Sequence, residues 1–187
     1  MELSTFAADP VTVGTLIGAL ALVMFAAAWH KLSEPDAFAA ALSAYGLLPQ
    51  RAVDAVARGL PLLEALIGAC ILLPATRTAA LIALAALVLL YALAIGLNLV
   101  RGRRDIDCGC GGESHPLSWG LVSRNLVLAA AALMASRPTL ERSMNWVDAL
   151  TLILGVLAFY AFYLMADELL RQASRLARFG HEHGSGS

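Results

Sequence analysis

Five apolar runs, each close to the length that crosses a lipid bilayer, constrain this chain more than any motif it carries. They lie at Val11–Trp29, Leu60–Leu73, Thr76–Val100, Leu117–Ala135 and Trp146–Met165. A spanning helix takes about 20 mostly apolar residues. A soluble domain of 187 residues has no core able to hide several such runs. Composition agrees: only 14% of residues are charged, against about 25% in soluble domains. Backbone polar groups in lipid must be satisfied within the spanning element, and no alternating strand pattern appears. The fold class is therefore all-α, a polytopic membrane helix bundle with a four-helix core plus a fifth spanning helix. Ala and Gly recur throughout, as close helix packing in lipid requires.

The segments between the runs are informative. The second run is short and opens at Pro61, a residue suited to a first helical turn. Ahead of it, "SEPDAFAAALSAYGLLP" places Ser33 as an N-cap and Phe38, Leu42 and Tyr45 at helical spacing. This predicts an interfacial amphipathic helix between the first two spans. "PQRAVDAVARG" reads as a second, shorter helix. After Met165, "DELLRQASRLARFG" is a basic amphipathic tail, either resting on the membrane surface or forming a solvated helix end. The expected organisation is a core over 1–135, a fifth span in 136–166, a tail over 167–180 and a disordered end or linker at 181–187, with no role for His181 or His183. The start, "MELSTFAADP", lacks the basic region of a signal peptide, so the first run is expected to stay as a helix. A net charge of −1, without basic patches and interleaved aromatics, excludes nucleic acid as a partner. The lipid bilayer is the surrounding partner, and the expected location is the cell (inner) membrane.

Chemistry concentrates in "RGRRDIDCGCGGESHPLSW", residues 101–119. Cys108 and Cys110, one glycine apart, can close a tight disulfide that departs from relaxed geometry. Such a bond is easily reduced and suits exchange more than structure, and Gly109, Gly111 and Gly112 let the backbone bend to form it. Arg101, Arg103, Arg104 and a helix N-terminus near Pro116 favour the thiolate, whereas Asp105, Asp107 and Glu113 oppose it. The alternatives are two unreactive thiols or a staple, hard to justify as packing for an exposed pair, and a copper(I) site of Cys108, Cys110 and His115. Cys70 lies in the second run, about 14 Å deeper than Pro61 at 1.5 Å per residue, and reads as a small core residue.

Polar residues inside the runs complete the candidate site. Glu64, Asn98, Arg124 and Asn125, with His30 and Lys31 at the end of the first run, share one leaflet with the cysteine loop. Ionisable groups in lipid pair with one another or line a functional cavity. Glu64 and Arg124 are expected partners, as a structural bridge or in a direct role. His30 and Lys31 are either part of the site or snorkel to the interface. Trp119 marks the interface belt or helps hold a flat cofactor.

Together, "KLSEPDAFAAALSAYGLLP", "PLLEALIGACILL" and "RRDIDCGCGG…PLSWGLVSRNLVLAA" resemble the MauE branch of the DoxX-like membrane proteins, over roughly residues 13–135. The resemblance implies thiol–disulfide chemistry. Proteins of that family are associated with maturation of the disulfide-rich subunit of methylamine dehydrogenase, beside a thioredoxin-like partner. The core is similar in concept to membrane disulfide generators that reduce quinone. Carried over, Cys108 and Cys110 match the family's cysteine pair, Glu64 its intramembrane acid, and Arg124 with Asn125 its fourth-helix polar pair. The expected function is a thiol–disulfide oxidoreductase with a thioredoxin-like partner. A quinone would be the electron partner, near Glu64, Asn98, Trp119, Arg124 and Asn125. The alternatives are a copper(I) carrier and a scaffold that recruits another membrane subunit. The side of the loop stays open. Lys31, Arg51, Arg58, Arg101, Arg103, Arg104, Arg171, Arg175 and Arg178 share its face, against Arg77, Arg137 and Arg142 opposite. That bias favours the cytoplasm, whereas oxidative folding belongs outside it.

Overall fold

In the computed structural model of the chain, the described residues are 9–103, 105–109, 116–139 and 143–184, with side chains to residue 170 and at 172. They form six helices. Helix α1 (Pro10–Ser33) starts where the Asp9 carboxylate accepts a hydrogen bond from the Val11 N–H at 2.9 Å, with Pro10 in the first turn. Helix α2 (Pro35–Tyr45) follows almost directly and ends at Gly46, whose φ of 62° is left-handed backbone that favours glycine. This is the helix expected between the first two spans, but Ser33 is not its cap: Ser33 is the last residue of α1, and Glu34 stands at the N-cap with no side-chain capping bond. Helices α3 (Gln50–Leu72), α4 (Arg77–Val100), α5 (Trp119–Ala135) and α6 (Trp146–Gly184) complete the bundle.

Two expectations about boundaries are corrected. "PQRAVDAVARG" and the short second run are one continuous 23-residue helix, α3, and Pro61 lies in its interior, not in a first turn. Proline lacks the N–H that would bond the carbonyl four residues back. In a bundle the loss is tolerated where neighbours enclose the break, and Pro61 is fully buried. The helix of the fifth run continues through the tail, α6 running unbroken from Trp146 to Gly184.

Four helices are long and apolar enough to cross a membrane: α1, α3, α4 and the Trp146–Leu170 part of α6. The fifth apolar helix, α5, has 17 residues, about 25 Å at 1.5 Å per residue and so at the short end for a span. Helix α1 lies centrally, packed on α3, α5 and α6, while α4 lies along α5 and α3. Leu20, Ile71, Leu81 and Leu84 form the tightest part of the core.

Helix α6 is peripheral, with no fully buried residue between Trp146 and Leu170. It seats its side chains on glycines of α1. A Cβ at Gly14 would come within 2.7 Å of Leu152 Cδ1, and one at Gly18 within 2.7 Å of Val156 Cγ2. Small residues let the two backbones approach closely, the usual means of packing helices in lipid.

Candidate functional site

Lys31, two residues from the end of α1, points into the bundle and is only 6% exposed. Its Nζ donates to both oxygens of Glu64 on α3, at 2.7 and 2.8 Å, and Glu64 is 0% exposed. The Tyr91 hydroxyl on α4 donates to Glu64 Oε1 at 2.7 Å. Three spanning helices therefore meet on one carboxylate. The ammonium also lies 5.5 Å from the centre of the Phe38 ring on α2 and 5.6 Å from that of Tyr91, within cation–π range. A charge in the membrane interior is costly unless it is paired and hydrogen-bonded; here both conditions are met.

The partner expected for Glu64 was Arg124, and the structure corrects this. Arg124 on α5 pairs with Asp167 on α6 and lies 5.8 Å from the Tyr163 ring. Its face of α5 turns toward the peripheral helix, and Glu64 turns toward α1 and α4. Lys31 was open to two readings, and the structure turns it inward to Glu64 as part of the site. Tyr91 carried no expected role. Its spacing along α4 gave no polar signal, since a tyrosine in an apolar run reads as packing.

The loop after α4 is anchored from two sides. Arg103 Nη1 donates to the Tyr45 carbonyl at 3.3 Å and to Asn98 Oδ1 at 3.4 Å. Asn98 is fully buried and donates from Nδ2 to the Ala94 carbonyl at 3.1 Å. The Tyr45 hydroxyl donates to the Cys108 carbonyl at 3.3 Å. Asp107 bridges to Pro116, and the Leu117 N–H reaches the Ile106 carbonyl at 3.2 Å, so the loop folds back on itself. The Gly109 N–H donates to Asp107 Oδ1 at 3.0 Å, a local turn of the kind aspartate favours.

Gly109 has φ 66°, and a Cβ there would lie 3.2 Å from both Ala41 Cβ and Phe38 Cδ2. The glycine thus permits both the turn and the close approach of the loop to α2. In consequence Cys108 is not the exposed residue expected. It is 8% exposed, packed with Tyr45, Ile95, Leu99, Leu117 and Leu121. Cys110, His115, Arg104 and residues 111–114 lie outside the described residues.

Two cavities flank this junction and share Lys31, Phe38, Ala41 and Gly109 in their walls. One, of about 420 Å³, is the more polar of the two and is also lined by His30, Glu34, Asp105 and Asp107. The other, of about 330 Å³, is apolar and bounded by Leu42, Leu60, Leu90, Ile95, Tyr45, Tyr91 and Cys108 among others. Its outer rim, at Leu47, Leu48 and Leu90, is exposed apolar surface.

Of the five residues expected to hold a cofactor, Glu64 joins this junction through Lys31 and Tyr91, and Asn98 orients the loop through Arg103. Trp119, 56% exposed at the start of α5, lines neither cavity, nor do Arg124 and Asn125. Asn125 is buried and donates to the Leu121 carbonyl of its own helix at 2.8 Å. Cys70 is part-buried in the last turn of α3, and its carbonyl accepts from Thr76 Oγ1 at 2.8 Å. Among the described residues no three His, Cys, Asp or Glu side chains gather as metal ligands. Two members of the copper(I) alternative, Cys110 and His115, lie outside them.

The family model for methylamine utilisation protein MauE matches residues 10–137. The chain belongs to the MauE family. It is 39% identical over 133 residues to the methylamine utilization protein MauE of Paracoccus denitrificans, covering 70% of this chain and 72% of that one. With the protein of the same name from Methylophilus methylotrophus the identity is 37% over 154 residues, covering 79% and 80%. No solved structure matches the chain. The matched residues include Lys31, Glu64, Tyr91, Cys108 and Cys110, and they stop short of Asp167.

Proposed function

We propose that this chain is a membrane thiol–disulfide oxidoreductase that exchanges electrons with a thioredoxin-like protein. The relatives are named for methylamine utilisation; carried to this chain, the process served is maturation of a disulfide-containing protein. Supporting the reading above all is the placement of Cys108. It is buried beside an apolar cavity that it lines together with the wall of a buried lysine–carboxylate–tyrosine cluster. A thiol packed only for structure needs neither a cavity nor a charged neighbour across it.

The division of labour follows from burial. Cys108 is shielded from a large partner, so Cys110 is the cysteine that meets it. A thiolate of the partner attacks the Cys110 sulfur of a Cys108–Cys110 disulfide, releasing the Cys108 thiol and forming a mixed disulfide. The partner's second cysteine then displaces Cys110, leaving the partner oxidised and both loop cysteines reduced. A quinone of the membrane reoxidises them.

The test uses single replacements, Cys108→Ser and Cys110→Ser, in cells quenched with acid and analysed by non-reducing electrophoresis. The expected result is a partner adduct, reversible by dithiothreitol, in Cys108→Ser and its absence in Cys110→Ser. If neither variant traps a protein and both keep full cellular function, thiol exchange is not what the loop does.

A further inference from the structure

We infer that the apolar cavity lined by Cys108 is where a lipid-soluble quinone binds, with the Lys31 ammonium donating a hydrogen bond to one of its ring carbonyls. The inference rests on the proposed oxidoreductase function and moves the acceptor away from Trp119 and Arg124, where the sequence placed it. Four observations on this cavity converge.

The first is size and wall chemistry. At about 330 Å³ the cavity falls at the lower end of small-molecule sites, roughly 300–1,000 Å³. Its walls are aliphatic and aromatic, with Phe38 and Tyr91 offering ring faces and few polar side chains among them. The second is access. Exposed Leu47, Leu48 and Leu90 form its rim, so a ligand dissolved in the bilayer enters without crossing water.

The third is the donor. An ammonium carries three N–H bonds, and the Glu64 carboxylate takes at most two of those of Lys31. The rings of Phe38 and Tyr91, both in the apolar cavity's wall, also lie 5.5 and 5.6 Å from that nitrogen. Because Glu64 already balances the charge, a second anion would place two carboxylates on one ammonium in a low-dielectric site. A neutral carbonyl oxygen is the acceptor that fits. The fourth is the reductant. Cys108 lines the same cavity as Lys31 and Tyr91. As Cys108 and Cys110 form their S–S bond they release two electrons and two protons. A quinone taking up both becomes the quinol, and nothing is left over.

The experiment uses the full chain in nanodiscs, reduced, freed of reductant and mixed with decylubiquinone. Quinone absorbance and loss of free thiols are followed together, while disulfide exchange of the oxidised wild-type protein with reduced thioredoxin is measured in parallel. Ala94, on the cavity wall, is replaced by Leu and by Trp, so that the graded pair guards against a misfolded variant. The expected result is that quinone reduction falls with side-chain size, by at least tenfold in Ala94→Trp. The paired variant Lys31→Met/Glu64→Leu, which leaves no orphan charge, should raise the half-saturating quinone concentration about tenfold. Val127→Trp, in the groove between α5 and α6, should change the rate less than twofold.

Wild-type exchange with thioredoxin, combined with full quinone reduction by Ala94→Trp or a collapse in Val127→Trp, overturns the cavity and leaves the oxidoreductase reading standing. Thioredoxin exchange with no quinone-dependent thiol loss removes the quinone. Absence of both reactions removes the underlying reading as well.

Discussion

Lys31–Glu64 and Arg124–Asp167 are both cation–carboxylate pairs that join helices of the bundle, and they differ in burial and in the partners that hold them. The first is 6% and 0% exposed, held by the Tyr91 hydroxyl and the rings of Tyr91 and Phe38, and ties α1 to α3 and α4. The second is 12% and 28% exposed and ties α5 to the peripheral helix α6. The first lies wholly within the residues matched by the family model, whereas Asp167 lies beyond them. The difference separates two uses of charge in a membrane protein. A fully enclosed pair beside a cavity is a group available to a ligand. A partly exposed pair between α5 and the peripheral helix is a fastening.

Breaking the enclosed pair on one side should have the largest effect. Lys31→Met leaves the Glu64 carboxylate buried without its cation, a loss of about 3–5 kcal/mol by analogy with other buried pairs. Lys31→Met/Glu64→Leu should recover most of it, because a hydrophobic pair of similar volume is often neutral. Thermal unfolding of both in the same detergent checks this, and equal destabilisation by the single and double variants would mean that the charges are not coupled. Tyr91→Phe removes one hydrogen bond to a charged group and should cost about 1.5–3 kcal/mol while the bundle stays folded. A Tyr91→Phe protein as stable as wild type would mean that Tyr91 contributes its ring and not its hydroxyl.

The smallest effect is expected at the edge. Asp167→Asn should lower stability by at most about 1 kcal/mol, the range of partly exposed pairs. It should also raise proteolysis in α6 without altering the reactivity of Cys108. Loss of thiol reactivity on Asp167→Asn would erase the distinction between the two pairs.

Much of the architecture was legible in the amino-acid order. Four of the five apolar runs, the helix α2 and the loop with Cys108 stand where hydropathy and helical spacing put them, whereas Ser33, read as a cap, ends α1. Pro61 misled, because proline at a run's edge signals a helix start, while in a bundle it is also tolerated in the interior. The fastening of Arg124 was missed because Asp167 sits just past the fifth apolar run, where a carboxylate reads as the first residue of a polar tail. Cys108 was expected to be exposed because glycine-rich, charged surroundings describe a loop. They do not describe the loop folding back through the Asp107–Pro116 bridge onto Tyr45 and Leu121.

The sequence by itself determined that this chain is a membrane bundle of the MauE family with a cysteine pair at one end. Those properties are carried by twenty-residue sums of hydropathy and by short contiguous motifs, which need no neighbour to be read. Which cation meets Glu64, and which cavity Cys108 lines, only the tertiary structure decided. Each depends on how every helix is rotated about its own axis, and that rotation is set by contacts between residues far apart in the chain, such as Lys31 and Glu64, 33 positions apart.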